Sequence, residues 1–204
     1  MSPLVLLVAA VVGYLLGGIP TGLLVARAYR VDLTAVGSKR TGATNVLRAV
    51  GPVPAALVFI GDFLKAALAA WLMRVLFDNA WVEVIAATAA VVGHGFSPYI
   101  GFKGGRGVTP GLGGLAVISW WIFLIALGTG LLVILLTRFV SLGSMLGTLV
   151  AALVIAYMVA VVGWPLADAT FAVAVAGFIL FSHHDNIARL VSGRERKLGE
   201  SVKT

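Results

Sequence analysis

The chain has 204 residues, of which 60% are hydrophobic and only 11% charged. With a mean hydropathy of +1.06 and no run that reads as a soluble domain, a membrane-embedded class is the economical one. The absence of cysteine excludes disulfides, thiolate metal sites and a cysteine nucleophile. The net charge of +7 fits a chain oriented in the membrane and attracted to anionic lipid or a phosphorylated substrate better than a nucleic-acid binder.

Polar backbone in hydrocarbon must be satisfied internally, and the short alternating strands of a barrel are not seen, so the spans are expected to be helices. The first apolar run, 3–26, lacks a basic leading segment, carries Gly17, Gly18 and Pro20 late and is followed by Arg27 and Arg30. It reads as a retained span rather than a cleaved signal peptide. Further apolar blocks run at about 53–77, 80–98, 108–137, 142–163 and 165–182, to be compared with the roughly 20 helical residues that a bilayer core requires.

The separators between these blocks carry the charge. Residues 27–52 hold Arg27, Arg30, Lys39, Arg40 and Arg48 against Asp32; residues 99–108 hold Lys103 and Arg106; residues 183–204 hold Arg189, Arg194, Arg196, Lys197 and Lys203. The positive-inside rule places all three segments in the cytoplasm. The connections near Asp78 to Glu83 and near Trp164 to Asp168 carry acids without Lys or Arg and read as external. An even number of crossings is needed between residue 105 and the tail, yet only three blocks lie between. The block 108–137, interrupted by Pro110, glycines and Trp120-Trp121, is therefore expected to split into two short helices. The expected architecture is an all-α integral membrane protein, one polytopic domain over residues 1–204. It has about seven transmembrane helices, an external N-terminus and a cytoplasmic C-terminus.

Three polar segments thus converge on one membrane face. In the first, Ser38, Thr41, Thr44 and Asn45 stand beside Lys39, Arg40 and Arg48, and a helix beginning near Val46 could supply an anion site at its N-terminus; an ordinary basic loop is the alternative. In the second, Gly101 to Val108 reads GFKGGRGV. Gly104, Gly105 and Gly107 permit positive φ and an N–H nest, while Lys103 and Arg106 add charge suited to phosphate. It has neither Walker nor dinucleotide-fingerprint spacing. His94 just upstream is either an interfacial hydrogen-bonding residue or a catalyst.

The third segment contains His183-His184-Asp185, too sparse a ligand set for an expected metal site. His183, Asn186 and Arg189 share one helical stripe at i, i+3. Within the second span, Asp62 and Lys65 lie at i, i+3 and about 15 Å deep; they are a structural pair or an extension of a substrate pocket. A transporter would distribute ionisable groups through the depth of the bilayer. An enzyme joining a phosphorylated solute to a lipid would gather them at the interface, and that reading is preferred.

Gly37-Ser38, Gly42-Ala43-Thr44-Asn45 and Arg48, then Gly93-His94-x-Phe96-Ser97 with Phe102-Lys103-Gly104-Gly105-x-Gly107-Val108, then His183-x-x-Asn186-Ile187-x-Arg189-Leu190 with Gly193-x-Glu195, together resemble the PlsY family, the acyl-phosphate-dependent glycerol-3-phosphate acyltransferases of bacteria. The likeness also takes in Gly18 to Gly22, Asp62-x-x-Lys65 and Arg138-x-x-Ser141-Leu142-Gly143-Ser144.

The resemblance implies a seven-span enzyme of the bacterial inner membrane with its site at the cytoplasmic face. It would move an acyl group from acyl phosphate to the 1-hydroxyl of glycerol 3-phosphate, giving lysophosphatidic acid and phosphate. No cofactor or nucleic acid is implied, and a functional link to the enzyme that makes acyl phosphate is.

By the same resemblance Ser38 and Arg48 position the acyl phosphate, and Lys103 with Gly104, Gly105 and Gly107 cradles glycerol 3-phosphate. His183 and Asn186 complete the site, and Glu195 stabilises the tail. Either His94 or His183 could act as base, or a substrate phosphate oxygen could take the proton. The family commonly has Gly-Asn where this chain has Lys39-Arg40, Lys where it has Arg106, and Ala-Thr where it has Thr109-Pro110. These departures are expected to leave activity in place.

Overall fold

A computed structural model describes residues 2–200; Lys203 of the basic tail lies outside the described residues. Helix α1 (Pro3–Gly18) begins at Pro3, with the Ser2 hydroxyl accepting from the Val5 amide at 3.4 Å. Pro20, which has no amide proton, breaks the chain, and it resumes as α2 (Thr21–Ala28). After a polar loop comes the short α3 (Ala43–Ala49), then the long α4 (Pro52–Phe77), which starts on a proline and ends at the left-handed Asp78. Asn79 caps α5 (Ala80–Gly95) by accepting from the amides of Trp81 and Val82.

The block 108–137 is interrupted at Ser119, whose extended backbone (φ −156°) separates α6 (Val108–Ile118) from α7 (Trp120–Thr137). Helix α8 (Val140–Tyr157) runs on through a widened turn at Met158–Val162. The chain closes with α9 (Leu166–Ser182) and the short α10 (His184–Val191), bent from α9 by 59°.

Among the described residues four helical segments, Pro3–Ala28, Pro52–Phe77, Trp120–Thr137 and Val140–Val162, are long and apolar enough to cross a membrane, and the bent pair α9–α10, taken as one span, makes a fifth. Against the expected seven spans, α5 and α6 are short, with 16 and 11 residues, or about 24 and 17 Å of rise. Exposed Leu135 (78%), Leu136 (74%) and Val173 (68%) give the bundle an apolar exterior, as a lipid-facing surface requires.

In lipid, apolar side chains gain little by leaving one apolar phase for another, so helices associate through close packing of small residues. Gly13 and Gly17 of α1 sit directly on the backbone of Ala86 and Ala90 of α5, with no room for a Cβ. Val91, Leu115, Ile122, Ile155, Phe171 and Ile179 form the main core among α5 to α9; Leu23, Leu33, Val46 and Val58 form a second beneath the polar loop that leads into α3.

Gly13→Leu and Gly17→Leu should each destabilise the protein by about 1–3 kcal/mol, the usual scale of overpacking. Gly128→Leu, at a position with open space around it, should not. Thermal unfolding in detergent micelles reads the difference.

Candidate active site

A cavity of about 500 Å³ joins the three polar segments. At one end stand Ser38, Arg40, Thr44, Asn45 and Arg48 of the first segment, Gly105, Arg106 and Gly107 of the second, and His183, Asn186 and Glu195 of the third. His94 and Asp62 also line it, and it continues between α4, α7 and α8 as an apolar slot walled by Phe59, Leu127, Leu131, Ile134, Gly143 and Gly147. One cavity therefore offers both a cationic pocket and a space shaped for an alkyl chain.

Not every residue singled out in the sequence reaches this cavity in the expected way. Lys103 is exposed, does not line it, and forms an isolated antiparallel bridge with Ser97. Lys65 and Gly104 also lie outside its lining. Only Gly107 of the expected glycine nest has a positive φ (+84°), and the Gly105 amide is already donated to the His94 carbonyl at 3.1 Å. Gly105 must be glycine for another reason: a Cβ there would collide with Nε2 of His94. The second loop is thus a seat for a histidine as much as a cradle of free amides.

Asn45 organises rather than reaches out. Its Oδ1 accepts from the Ser38 amide at 3.0 Å and its Nδ2 donates to the carbonyls of Val36 and Arg40 at 3.2 and 3.0 Å. The Ser38 hydroxyl is left without a partner among the described residues, at the edge of the cavity. Lys39, where the resembling family commonly has glycine, adopts φ +55°; the backbone shape persists although its side chain disfavours it.

The arginines are short of partners. Nε of Arg48 and Nε of Arg106 are buried without a hydrogen bond among the described residues, an arrangement that costs free energy unless a ligand completes it. Burial, with Arg40 and Arg189 nearby, lowers the Arg106 guanidinium to about 10, so it stays charged at neutral pH. Burial, then the charge of Arg196, also lowers Arg48. Such like charges at one end of a cavity call for an anion.

Glu195 ties the tail to the site. Its Oε1 accepts from Ser141 at 2.8 Å and from Asn186 Nδ2 at 2.6 Å, and its Oε2 accepts from Arg189 Nε at 2.8 Å. Burial works to raise this carboxyl, but the three hydrogen bonds and the charge of Arg189 leave it below the usual glutamate range. Since Glu195 holds the nitrogen of the Asn186 amide, Asn186 Oδ1, buried and unpartnered, is an acceptor left at the cavity. The ring Nδ1 of His183 lies 2.7 Å from the Ile179 carbonyl. A carbonyl only accepts, so Nδ1 carries the proton and Nε2 is an acceptor as well.

His184 turns the other way, with Nδ1 2.9 Å from the Phe181 carbonyl and Nε2 3.0 Å from Asp185. No group of three or more His, Cys, Asp or Glu that could hold a metal occurs among the described residues. The sequence set Arg40, which lines the cavity, beside the first candidate anion site without a contact of its own, and gave no site role to Ser141, which holds Glu195. The signal for Ser141 was its place in the Arg138-x-x-Ser141 motif; Arg40 had only its charge.

Lys39→Gly should stabilise the chain by about 1 kcal/mol through relief of the left-handed backbone, seen as a higher midpoint of thermal unfolding. Glu195→Gln keeps the shape but loses the charge-assisted bonds. It should cost about 1–3 kcal/mol at neutral pH, and protease sensitivity at Arg194 and Arg196 should rise. Because the folded carboxyl titrates below its ordinary value of 4.5, its contribution is complete above that pH and is lost as pH falls through the lower folded value; the difference between wild type and variant should close only in acid.

The family described as glycerol-3-phosphate acyltransferase matches residues 7–193 of the chain. A glycerol-3-phosphate acyltransferase of Synechococcus sp. (strain JA-3-3Ab) is 44% identical over 195 residues, covering 95% of this chain and 94% of the relative. One of Thermus thermophilus is 43% identical over 194 residues, covering 93% and 94%. Among solved structures, the crystal structure of PlsY, an integral membrane glycerol 3-phosphate acyltransferase, in its glycerol 3-phosphate form superposes with a TM-score of 0.88 at 37% identity, covering 95% of this chain and 96% of that one. Its lysophosphatidic acid form gives 0.86 at 36%, covering 95% of each. Family, full-length relatives and fold agree, and the chain is an integral membrane enzyme of the glycerol-3-phosphate acyltransferase (PlsY) family.

Proposed function

We propose that the protein transfers a fatty acyl group from acyl phosphate to the 1-hydroxyl of glycerol 3-phosphate, releasing lysophosphatidic acid and inorganic phosphate. The observation that carries this reading is the pairing in one cavity of two buried, unpartnered arginine Nε atoms with an apolar slot. Both substrates are phosphorylated, and one of them has an alkyl chain.

In the proposed arrangement Arg48 and the free Ser38 hydroxyl hold the acyl phosphate, its chain in the slot between α4, α7 and α8. Arg106, beside Gly105 and Gly107, takes the glycerol 3-phosphate. The glycerol hydroxyl lies against His183 Nε2 and Asn186 Oδ1, both acceptors. Its oxygen attacks the acyl carbonyl carbon, the new C–O ester bond forms, and its proton passes to His183. The bond from the carbonyl carbon to the phosphate oxygen breaks, and its electron pair leaves with phosphate. A mixed anhydride has a good leaving group, so no covalent enzyme intermediate is needed, and neither histidine is hydrogen-bonded to Ser38 to activate one. Arginine stabilises the charge that develops on the departing phosphate.

The same reading makes the chain one polytopic domain of seven spans in the bacterial inner membrane. α1 with α2, and each of α4 to α9, is one crossing, with the N-terminus outside and the site at the cytoplasmic face. The short α5 and α6 are accommodated by local thinning of the bilayer. The donor comes from an enzyme that makes acyl phosphate, and no cofactor takes part.

Purified protein in detergent, given palmitoyl phosphate, should release phosphate only when glycerol 3-phosphate is present, with lysophosphatidic acid identified by mass. Ser38→Ala and Arg48→Ala should each reduce kcat/KM by about 100-fold or more, the scale for losing a charge-assisted contact in a closed site. Turnover with an acyl thioester but not with palmitoyl phosphate would reject the proposed donor, and no acceptor-dependent turnover at all would reject the reaction.

A further inference from the structure

Beneath the cavity lies a buried charged cluster to which the proposed reaction assigns no step. Lys65 Nζ, on α4, is 3.0 Å from the Ile19 carbonyl at the α1–α2 break, 2.8 Å from Asp62 Oδ1 and 2.9 Å from His94 Nδ1. An ammonium has three protons and no lone pair. Here it meets a carbonyl, a ring nitrogen and a carboxylate that also accepts from the Thr21 hydroxyl. His94 Nδ1 is also 3.3 Å from Asp62 Oδ1, but the ammonium is nearer, and a proton on Nδ1 would set two donors against each other across 2.9 Å. Nδ1 must therefore be the unprotonated nitrogen, and Nε2 carries the ring proton. That Nε2 occupies the space where Gly105 lacks a Cβ, and His94 and Gly105 both line the cavity.

We propose that Lys65 is a positioning residue that fixes His94 as a hydrogen-bond donor at Nε2, directed to a phosphate oxygen of a substrate bound at the Gly105–Arg106 loop, and excludes it from acting as a base. The two buried histidines of the cavity then have opposite roles. His183 presents an acceptor at Nε2 because the Ile179 carbonyl takes its Nδ1 proton, and His94 presents a donor at Nε2 because an ammonium fills its Nδ1 lone pair. A phosphate oxygen needs donors and an attacking hydroxyl needs an acceptor, so this division suits a site that must hold one and activate the other. The phosphate part of the inference rests on the proposed acyl transfer; the tautomer assignment does not.

Histidine 15N NMR on the whole protein in micelles tests the tautomer directly, with the His94 signals identified by their loss in His94→Gln. The expected result is an Nε2-protonated neutral ring in the wild type and a changed Nδ1 shift in Lys65→Met. A wild-type ring protonated at Nδ1, or His94 signals unchanged in Lys65→Met, would overturn the inference. Should Lys65→Met fail to fold, the wild-type spectrum and the His94 variants still decide.

His94→Gln places an amide N–H near the Nε2 position, and His94→Asn places one only near Nδ1. His94→Gln should retain at least about tenfold more kcat/KM than His94→Asn, with the difference in KM for palmitoyl phosphate or glycerol 3-phosphate. A merely structural histidine would instead lower the active fraction, and with it apparent kcat, at unchanged KM; equal KM values in the two variants would sink the proposal. If the spectrum is as expected but no acyl transfer occurs with any donor, the tautomer assignment stands and the proposed reaction fails.

Discussion

An ammonium group sealed inside a membrane protein must be fully hydrogen-bonded, and the satisfaction of Lys65 organises much of this structure. Its three partners come from three separate parts of the chain: the Ile19 carbonyl beside Pro20, Asp62 one turn away on α4, and His94 at the end of α5. The break at Pro20 supplies the carbonyl. Thr21, the first residue after the break, returns to bond Asp62. Charge burial of this kind costs several kcal/mol when it is incomplete, so α1, α2, α4 and α5 are held in one relative arrangement at this depth. The neighbouring bonds, Ser97 Oγ to the Gly18 carbonyl at 2.6 Å and Tyr14 to the Phe96 carbonyl at 2.6 Å, fix the segment that leads from His94 to the glycine loop.

From that fixed floor the cavity is built upward by loops that hold one another. Asn45 folds the 36–40 turn, Gly105 receives His94, and Glu195 binds the tail to α8 and α10 at once. Among the described residues, the cavity-lining side chains with a buried unpaired atom are Arg48, Arg106, Asn186 and Asp62, whose Oδ2 is free while its Oδ1 is held by Lys65 and Thr21. The first three stand among the polar segments and are the ones left to meet a ligand. This division separates a polar residue that supports the site from one that serves it, and it follows from hydrogen-bond accounting and place in the cavity.

The apolar blocks, their turns and the break in 108–137 were legible because hydropathy and proline or glycine punctuation are local properties. Convergence of the three polar segments was legible from their charge, since basic loops share one side of a membrane. What each side chain does there was not. Asn45 and Asn186 look alike in the sequence, yet one is consumed by its own loop while the other keeps an open oxygen. Lys103 and Arg106 are three residues apart, and only Arg106 enters the cavity. Such differences depend on which way a loop turns, and that is set by its backbone pairing with Ser97 and His94, which no side-chain pattern announces. Asp62 and Lys65 were recognisable as a pair by spacing, but their third member, His94, lies 29 positions further on and no pattern along the chain joins them.

The break at Ser119 has a consequence for the membrane itself. An eleven-residue helix rises about 17 Å, little more than half of a hydrocarbon core of about 30 Å, so in the proposed seven-span arrangement the backbone ends of α6 and α7 meet at a depth where free carbonyls are costly. The Trp121–Trp164 edge pair, 5.7 Å between centroids, packs beside this point with indole rings suited to the headgroup boundary. In that arrangement headgroups dip inward on this flank, and the insulating layer is thinnest there. The electrical potential across the membrane therefore drops over a shorter distance beside α6 than elsewhere around the bundle.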